Sequence, residues 1–193
     1  MSGHGKTNPD LANYSAILCI SSFLLTILEI PRDTIAGMEL YLVRHAIAEE
    51  ALPGQPDDTR PLSEEGVQRF REVVKGLKRL DIRFDRLYHS PKLRAVQTAD
   101  LLKPALEGES EVTPYLAEPP STKLLKTLQG TQVALVGHEP WMSQLCALLT
   151  LGDSEEAGAF VFKKGGVAHL EGHPKPGGMR LLALLTPKIL RQL

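Results

Sequence analysis

Residues 39–45 read ELYLVRH and residues 133–138 read VALVGH. Each is a short apolar run of strand formers that stops at a histidine, His45 in one and His138 in the other, and passes into a loop. A run apolar on both faces belongs in a sheet covered by helices on both sides. The segments between supply those helices. From Ser63 to Leu80, apolar residues fall at 67, 70, 73, 74, 77 and 80, a helical spacing opened by Ser63 as N-cap. Residues 84–88 read as a strand, 92–106 as a helix, 122–128 as a short helix, and 140–150 as a helix with Pro140 at its start. Residues 159–162 and 167–170, joined across 163–166, read as a hairpin, and 179–185 as a last strand. The alternation predicts an α/β fold, a three-layer α/β/α sandwich with a mostly parallel sheet and helices on both faces.

The composition agrees with one globular domain plus an appendage. Of 193 residues, 42% are hydrophobic and 23% charged, which argues against a disordered, collagen-like or polytopic membrane chain. The balance of 22 basic against 23 acidic residues argues against a nucleic-acid binder but leaves room for a local cationic pocket. Cys19 and Cys146 lie in apolar runs and form neither a disulfide framework nor a zinc cluster. The seam falls near Met38. Residues 1–13 are polar, and residues 16–30, AILCISSFLLTILEI, are almost continuously apolar. That run has no small-residue cleavage site, carries Glu29, and is shorter than the roughly 20 residues of a spanning helix. Three readings of residues 1–37 stand: a leader from an over-extended reading frame, a weak anchor, or a packed extra helix. The catalytic domain is expected over residues 38–193, in a cytoplasmic protein.

In open α/β sheets the functional crevice lies beyond the carboxyl ends of the strands, at a switch in strand order. If the two histidine-ended strands are neighbours, His45 and His138 face each other there. A third strand ends in residues 87–91, LYHSP, and leads to Arg94 on the first turn of the next helix. Arg44, His45, Arg94 and His138 then converge on one crevice, and that set suits a phosphoryl group. Arginine offers a planar fork of donors that matches phosphate oxygens and stays charged. A neutral imidazole attacks phosphorus and carries the group as phosphohistidine, splitting one displacement into two. The arginines and the second histidine stabilise the charge that develops. This design requires no metal and no cofactor.

Residues 42–46, LVRHA, resemble the Arg-His-Gly nucleophile motif of the histidine phosphatase (phosphoglycerate-mutase-like) superfamily. Residues 90–99, SPKLRAVQTA, resemble its S-P-x-x-R-A-x-Q-T-A segment, and residues 136–140, VGHEP, its second-histidine motif. The short chain, the RPLSEEG stretch at 60–66 and the strand opening at Met38 resemble the SixA branch, the phosphohistidine phosphatases. The resemblance runs from Met38 to near the C-terminus and implies a phosphoglycerate-mutase-like fold. It implies His45 as the phosphorylated nucleophile, Arg44 and Arg94 as the grip on the phosphoryl oxygens, His138 as a stabiliser of the transition state, and Arg60 as a further basic residue near the pocket mouth. The substrate it implies is a phosphorylated protein, with a histidine phosphotransfer domain as one such partner. Ala46 stands where the motif has glycine, which restricts the turn to negative φ.

Phosphoester hydrolysis profits from an acid that protonates the leaving alkoxide. No carboxylate stands in a matching motif. Glu118 is the candidate proton donor, with Glu49 and Glu50 beside the nucleophile loop as others, although isolated acidic residues are usually solvated. An activated phosphate such as phosphohistidine needs less help, so the missing acid tilts the reading towards N–P bonds. A phosphatase of small phosphoesters or nucleotides and a catalytically idle phosphate-binding module are the rivals. His89 reads as structural and His169 and His173 as solvent-facing. Trp141, Met142 and Leu145 read as core, and residues 163–166, KKGG, as a turn before any cationic rim for a partner.

Overall fold

A computed structural model describes residues 37–193, so the readings of the leader and of Cys19 lie outside the described residues. Six strands form one sheet: β1 (Met38–Arg44), β2 (Phe84–His89), β3 (Leu106–Val112), β4 (Gln132–Gly137), β5 (Val167–Gly172) and β6 (Met179–Leu185). Their order is β3-β2-β4-β1-β5-β6. The first four run parallel, while β5 lies antiparallel to β1 and β6 antiparallel to β5. The expected parallel sheet thus carries an antiparallel edge. Helices α1 (Glu64–Arg79), α2 (Leu93–Leu102) and α5 (Pro187–Leu190) and helices α3 (Thr122–Thr127) and α4 (Trp141–Leu151) supply the flanking layers.

Alternation along the strands divides the core in two. Tyr41 and Val43 of β1 and Ala134 and Val136 of β4 pack with Phe70, Val74 and Leu77 of α1. Leu40, Leu42, Val133 and Leu135 face the other way, onto Leu124 of α3 and Met142, Leu145 and Cys146 of α4. Both faces are buried, which is why ELYLV and VALV show no polar side. Burial of such a side chain contributes roughly 1.5–3 kcal/mol. The side chain of Ser63 accepts from the Gly66 amide at 3.0 Å, as an N-cap does.

Two expectations are corrected. Residues 159–162 form no strand; β5 already has β1 on one edge and β6 on the other, so the hairpin is β5–β6. The segment from Phe160 to Gly166 instead crosses the carboxyl end of β1. There Phe162 is buried, and Gly165, in a left-handed conformation at φ +79°, gives its amide to the carbonyls of both Arg44 and His45 at 3.0 Å. The helix expected over 92–106 stops at Leu102. Pro104 breaks it within the short turn Lys103–Ala105, and the chain enters β3.

Candidate active site

Parallel pairing of β1 with β4 sets Leu42 beside Leu135, Val43 beside Val136 and Arg44 beside Gly137. The next residue on each strand is a histidine. The amide of His45 donates to the carbonyl of Gly137 at 3.0 Å, and the two imidazole centroids lie 5.0 Å apart. Strand β2 flanks β4 on the other side, and the Ser90 amide donates to the Val136 carbonyl at 3.0 Å. All three strand ends that the motifs occupy therefore meet at one edge.

Each group is oriented by its neighbours. His45 is buried, and its Nδ1 lies 2.7 Å from the carbonyl oxygen of Ala46. That oxygen can only accept, so Nδ1 carries the proton and Nε2 keeps its lone pair. The Arg94 Nε–H donates to that Nε2 at 3.3 Å. The Ala46 amide donates to Thr98 Oγ1 at 3.1 Å, and that hydroxyl donates to the Arg94 carbonyl at 2.6 Å. Gln97 Oε1 accepts from the Leu62 amide at 2.7 Å. Motif positions on α2 thus tie the loop after His45 to the helix that carries Arg94. His138 Nε2 lies 2.8 Å from Ser90 Oγ. Arg44 donates from Nη1 to the Phe162 carbonyl at 2.6 Å. Arg44 Nε and His138 Nδ1 are buried and have no hydrogen-bond partner among the described residues, a costly state that a bound oxyanion would relieve.

Sequence reasoning missed Asp57. It lies in the short turn Asp57–Thr59, and its Oδ2 accepts from Arg94 Nη2 and from Lys92 Nζ, both at 2.9 Å. Its carbonyl accepts from Arg94 Nη1 at 2.7 Å, and its Oδ1 from Arg60 Nη2 at 3.0 Å. Arg60 therefore reaches the site through Asp57, half-buried, with Nη1 also donating to the Glu49 carbonyl at 3.3 Å. The only signal in the sequence is the acidic pair Asp57-Asp58, set between Pro56 and Pro61 and one residue short of Arg60. Glu118 is exposed and borders a small hollow with Trp141, whose ring stands edge-on to His138 at 6.5 Å. His89 is half-buried, its Nδ1 3.0 Å from the Ser90 carbonyl.

The electrostatics favour an uncharged pair of imidazoles. Desolvation, reinforced by Arg94, Arg44 and Lys164, outweighs the Ala46 hydrogen bond and pushes His45 down to about 3. Desolvation and the neighbouring His45, Arg94 and Lys92 lower His138 to about 3 as well. Hydrogen bonds from Lys92 and Arg94 hold the Asp57 carboxyl well below the usual carboxylate range. At neutral pH the site therefore presents two neutral imidazoles, the cationic side chains of Arg44, Arg60, Lys92 and Arg94, and one ionised counter-carboxylate, Asp57. Among the described residues, no three His, Cys, Asp or Glu side chains are grouped so as to hold a metal ion, and no helix is long and apolar enough to cross a membrane.

Comparison with known proteins agrees with this site. Residues 40–120 match the model of the histidine phosphatase superfamily (branch 1). An uncharacterized protein of Picosynechococcus sp. (strain ATCC 27264 / PCC 7002 / PR-6) is 31% identical over 167 residues, which cover 79% of this chain and 99% of that protein. The SixA protein of Agrobacterium tumefaciens superposes with a TM-score of 0.64 at 25% identity, covering 78% of this chain and 98% of its own. The protein histidine phosphatase SixA complexed with tungstate also gives 0.64 at 25% identity, over 79% of this chain and 99% of that one. A phosphoserine phosphatase of Entamoeba histolytica shares the fold at 18% identity, with a TM-score of 0.63 over 79% of this chain and 99% of its own. From strand register to sequence relatives the findings converge: the chain belongs to the histidine phosphatase superfamily, as a phosphatase of its SixA-type branch.

Proposed function

We propose that residues 38–193 form a domain that hydrolyses phosphohistidine on a cytoplasmic phosphorylated protein, through a phosphoryl group carried on Nε2 of His45. The observation that carries the reading is the 2.7 Å contact between His45 Nδ1 and the Ala46 carbonyl oxygen, which commits Nδ1 as the donor and leaves the lone pair on Nε2, where the Arg94 Nε–H meets it. In the first step that lone pair forms the P–N bond while the substrate's P–N bond breaks, and the departing imidazole nitrogen takes up a proton. Glu118, as the protonated carboxyl, is the proposed donor of that proton and regains it from the attacking water in the second step. In the second step water attacks phosphorus, phosphate leaves, and the electron pair returns to Nε2. Arg94 Nε–H, which donates to Nε2 in the free protein, turns to a phosphoryl oxygen as that lone pair is used. Arg44, Arg60 and His138 complete the donor set, with Arg44 Nε and His138 Nδ1 still unspent. An imidazole leaving group demands less acid than an alkoxide, which accords with a site whose two histidines resist protonation.

The test is an assay of the purified chain against a phosphohistidine peptide, a phosphoserine peptide and sugar phosphates, with rapid quench without acid. Expected is preferred turnover of phosphohistidine, with a base-stable, acid-labile phosphoenzyme that His45→Ala abolishes. Strong turnover of sugar phosphates and none of phosphohistidine overturns the substrate, and an absent phosphoenzyme overturns the mechanism.

A further inference from the structure

Beside the catalytic edge lies a second cavity of about 340 Å³ that the phosphoryl chemistry does not use. Its wall begins one residue past His45, at Ala46 and Ile47, and it backs onto the buried Phe70 and Val73 of α1, with Ile47 and Pro187 as half-buried apolar lining. Its rim is cationic. Lys163 and Lys164 stand on the loop before β5, and Lys188 and Arg191 on the C-terminal turn. All four are exposed, and among the described residues none has an ion-pair partner; Arg191 donates only from Nε to the Pro187 carbonyl at 3.2 Å. Arg69, which also lines the cavity, is paired with Glu65, so among the described residues the unanswered charge is that of these four, a local excess in a chain of net charge −1.

The rim is also mechanically continuous with the catalytic site. Gly165 donates to the carbonyls of both Arg44 and His45, so the lysine loop is clamped to the nucleophile's own backbone. Lys164 lies near enough to oppose protonation of His45. A chain whose phosphorylated side chain reached His45 would lay its neighbouring residues over this cavity, since successive residues of an extended chain advance only about 3.3 Å.

We propose that this cavity is the docking groove for an acidic segment of the phosphorylated protein, whose carboxylates meet Lys163, Lys164, Lys188 and Arg191 and whose apolar side chain rests on Ile47 and Pro187. The proposal rests on the phosphohistidine reading above and names the flank that the substrate presents. Charge complementarity selects the occupant: a basic or neutral segment leaves the rim unanswered, and a wholly apolar one leaves four cations to desolvate. Exposed pairs are individually weak, so several together amount to about tenfold in affinity, screened by salt.

The test uses phosphohistidine peptides that differ only in their flanks: alternating Glu and Leu, neutral Gln and Leu, or Lys and Leu. The fluorescein-labelled unphosphorylated peptides serve for anisotropy. Wild type should turn over the acidic-flanked peptide with kcat/KM about tenfold above the neutral one, through KM, and bind its unphosphorylated form with an advantage that 0.5 M salt removes. The double variant Lys188→Glu/Arg191→Glu should bring acidic and neutral flanks within twofold while its turnover of free phosphohistidine stays within twofold of wild type. Equal kcat/KM for all three flanks in wild type, or a preference that the variant retains, overturns the groove. Self-association of the wild type that the variant abolishes also overturns it, since a second copy then fills the cavity. If no phosphohistidine peptide is turned over, the functional reading fails, and the anisotropy still decides the groove.

Discussion

Nε of Arg94 lies 3.3 Å from Nε2 of His45, so in the free protein the guanidinium donates to the lone pair proposed as the nucleophile. The rest of the guanidinium is anchored, Nη1 and Nη2 both on Asp57. In the proposed mechanism Arg94 would therefore aim the nucleophile before the reaction and grip a phosphoryl oxygen during it. Arg94→Ala should lower kcat/KM on phosphohistidine by about 10²–10³, as the loss of one transition-state donor does. Arg94→Lys restores the charge but not the fork and should remain at least tenfold below wild type. Steady-state kinetics checks both, and a loss below tenfold in the alanine variant contradicts the role.

The same burial makes a titration prediction. His45 and His138 are both pushed from 6.5 down to about 3, chiefly by desolvation. Their Cε1–H resonances should stay flat between pH 5 and 8 in the ligand-free protein, whereas an exposed histidine moves. The sign for stability follows from proton uptake. The unfolded chain binds protons on these residues near pH 6.5 and the folded one only near 3, so their contribution is complete above 6.5 and is lost as pH falls towards 3. Thermal unfolding midpoints should drop from pH 6.5 to 4, and His45→Gln should flatten that slope. A midpoint between 6 and 7 for either ring contradicts the account.

Asp57 acts through Arg94 and Lys92 and is a positioning residue. Asp57→Asn keeps the shape and one acceptor but removes the charge that holds both side chains. With Arg94 less firmly placed, kcat should fall about tenfold, because small misplacements of catalytic groups are expensive. Inorganic phosphate should inhibit the variant at least as well as wild type, since a negative charge has left the anion's neighbourhood. That split between kcat and anion affinity separates positioning from general damage, which would weaken both. An unchanged kcat contradicts the role.

How much of this was legible in the sequence depended on where the information is local. The apolar runs ending at His45 and His138 declared themselves because both faces of β1 and β4 are buried; that the two strands are neighbours was only a condition of the reading, and their pairing meets it. Strand β3 was invisible: LEGESEV lies at the edge, is exposed almost throughout and has a strand's pairing on one side only. Its identity comes from β2, not from its own pattern. The 159–162 segment has strand-forming residues, yet tertiary pairing of β5 left no edge for it. Asp57 escaped because a carboxylate in a loop looks like a solvated charge until Arg94, 37 residues away, is folded against it. Long-range electrostatic partners leave no periodicity to read.

The packing of the nucleophile loop makes the last prediction. Gly66 sits in the first turn of α1 with its amide on Ser63 Oγ, and its α-carbon faces the backbone of Ile47, two residues past His45. A Cβ built there would fall 2.0 Å from the Ile47 carbonyl oxygen, a contact that side-chain rotation cannot relieve. Either α1 or the loop must move. Helix propensity favours alanine over glycine by up to about 1 kcal/mol, so propensity alone predicts a more stable protein from Gly66→Ala. Overpacking against backbone costs about 1–3 kcal/mol and should win. The thermal midpoint should therefore fall by several degrees, at about 2–4 °C per kcal/mol for a domain of this size. Because the strain lands on the Ala46–Ile47 segment that fixes the His45 tautomer, kcat should fall with it. Calorimetry together with phosphohistidine turnover checks the pair, and a variant as stable and active as wild type contradicts the close approach.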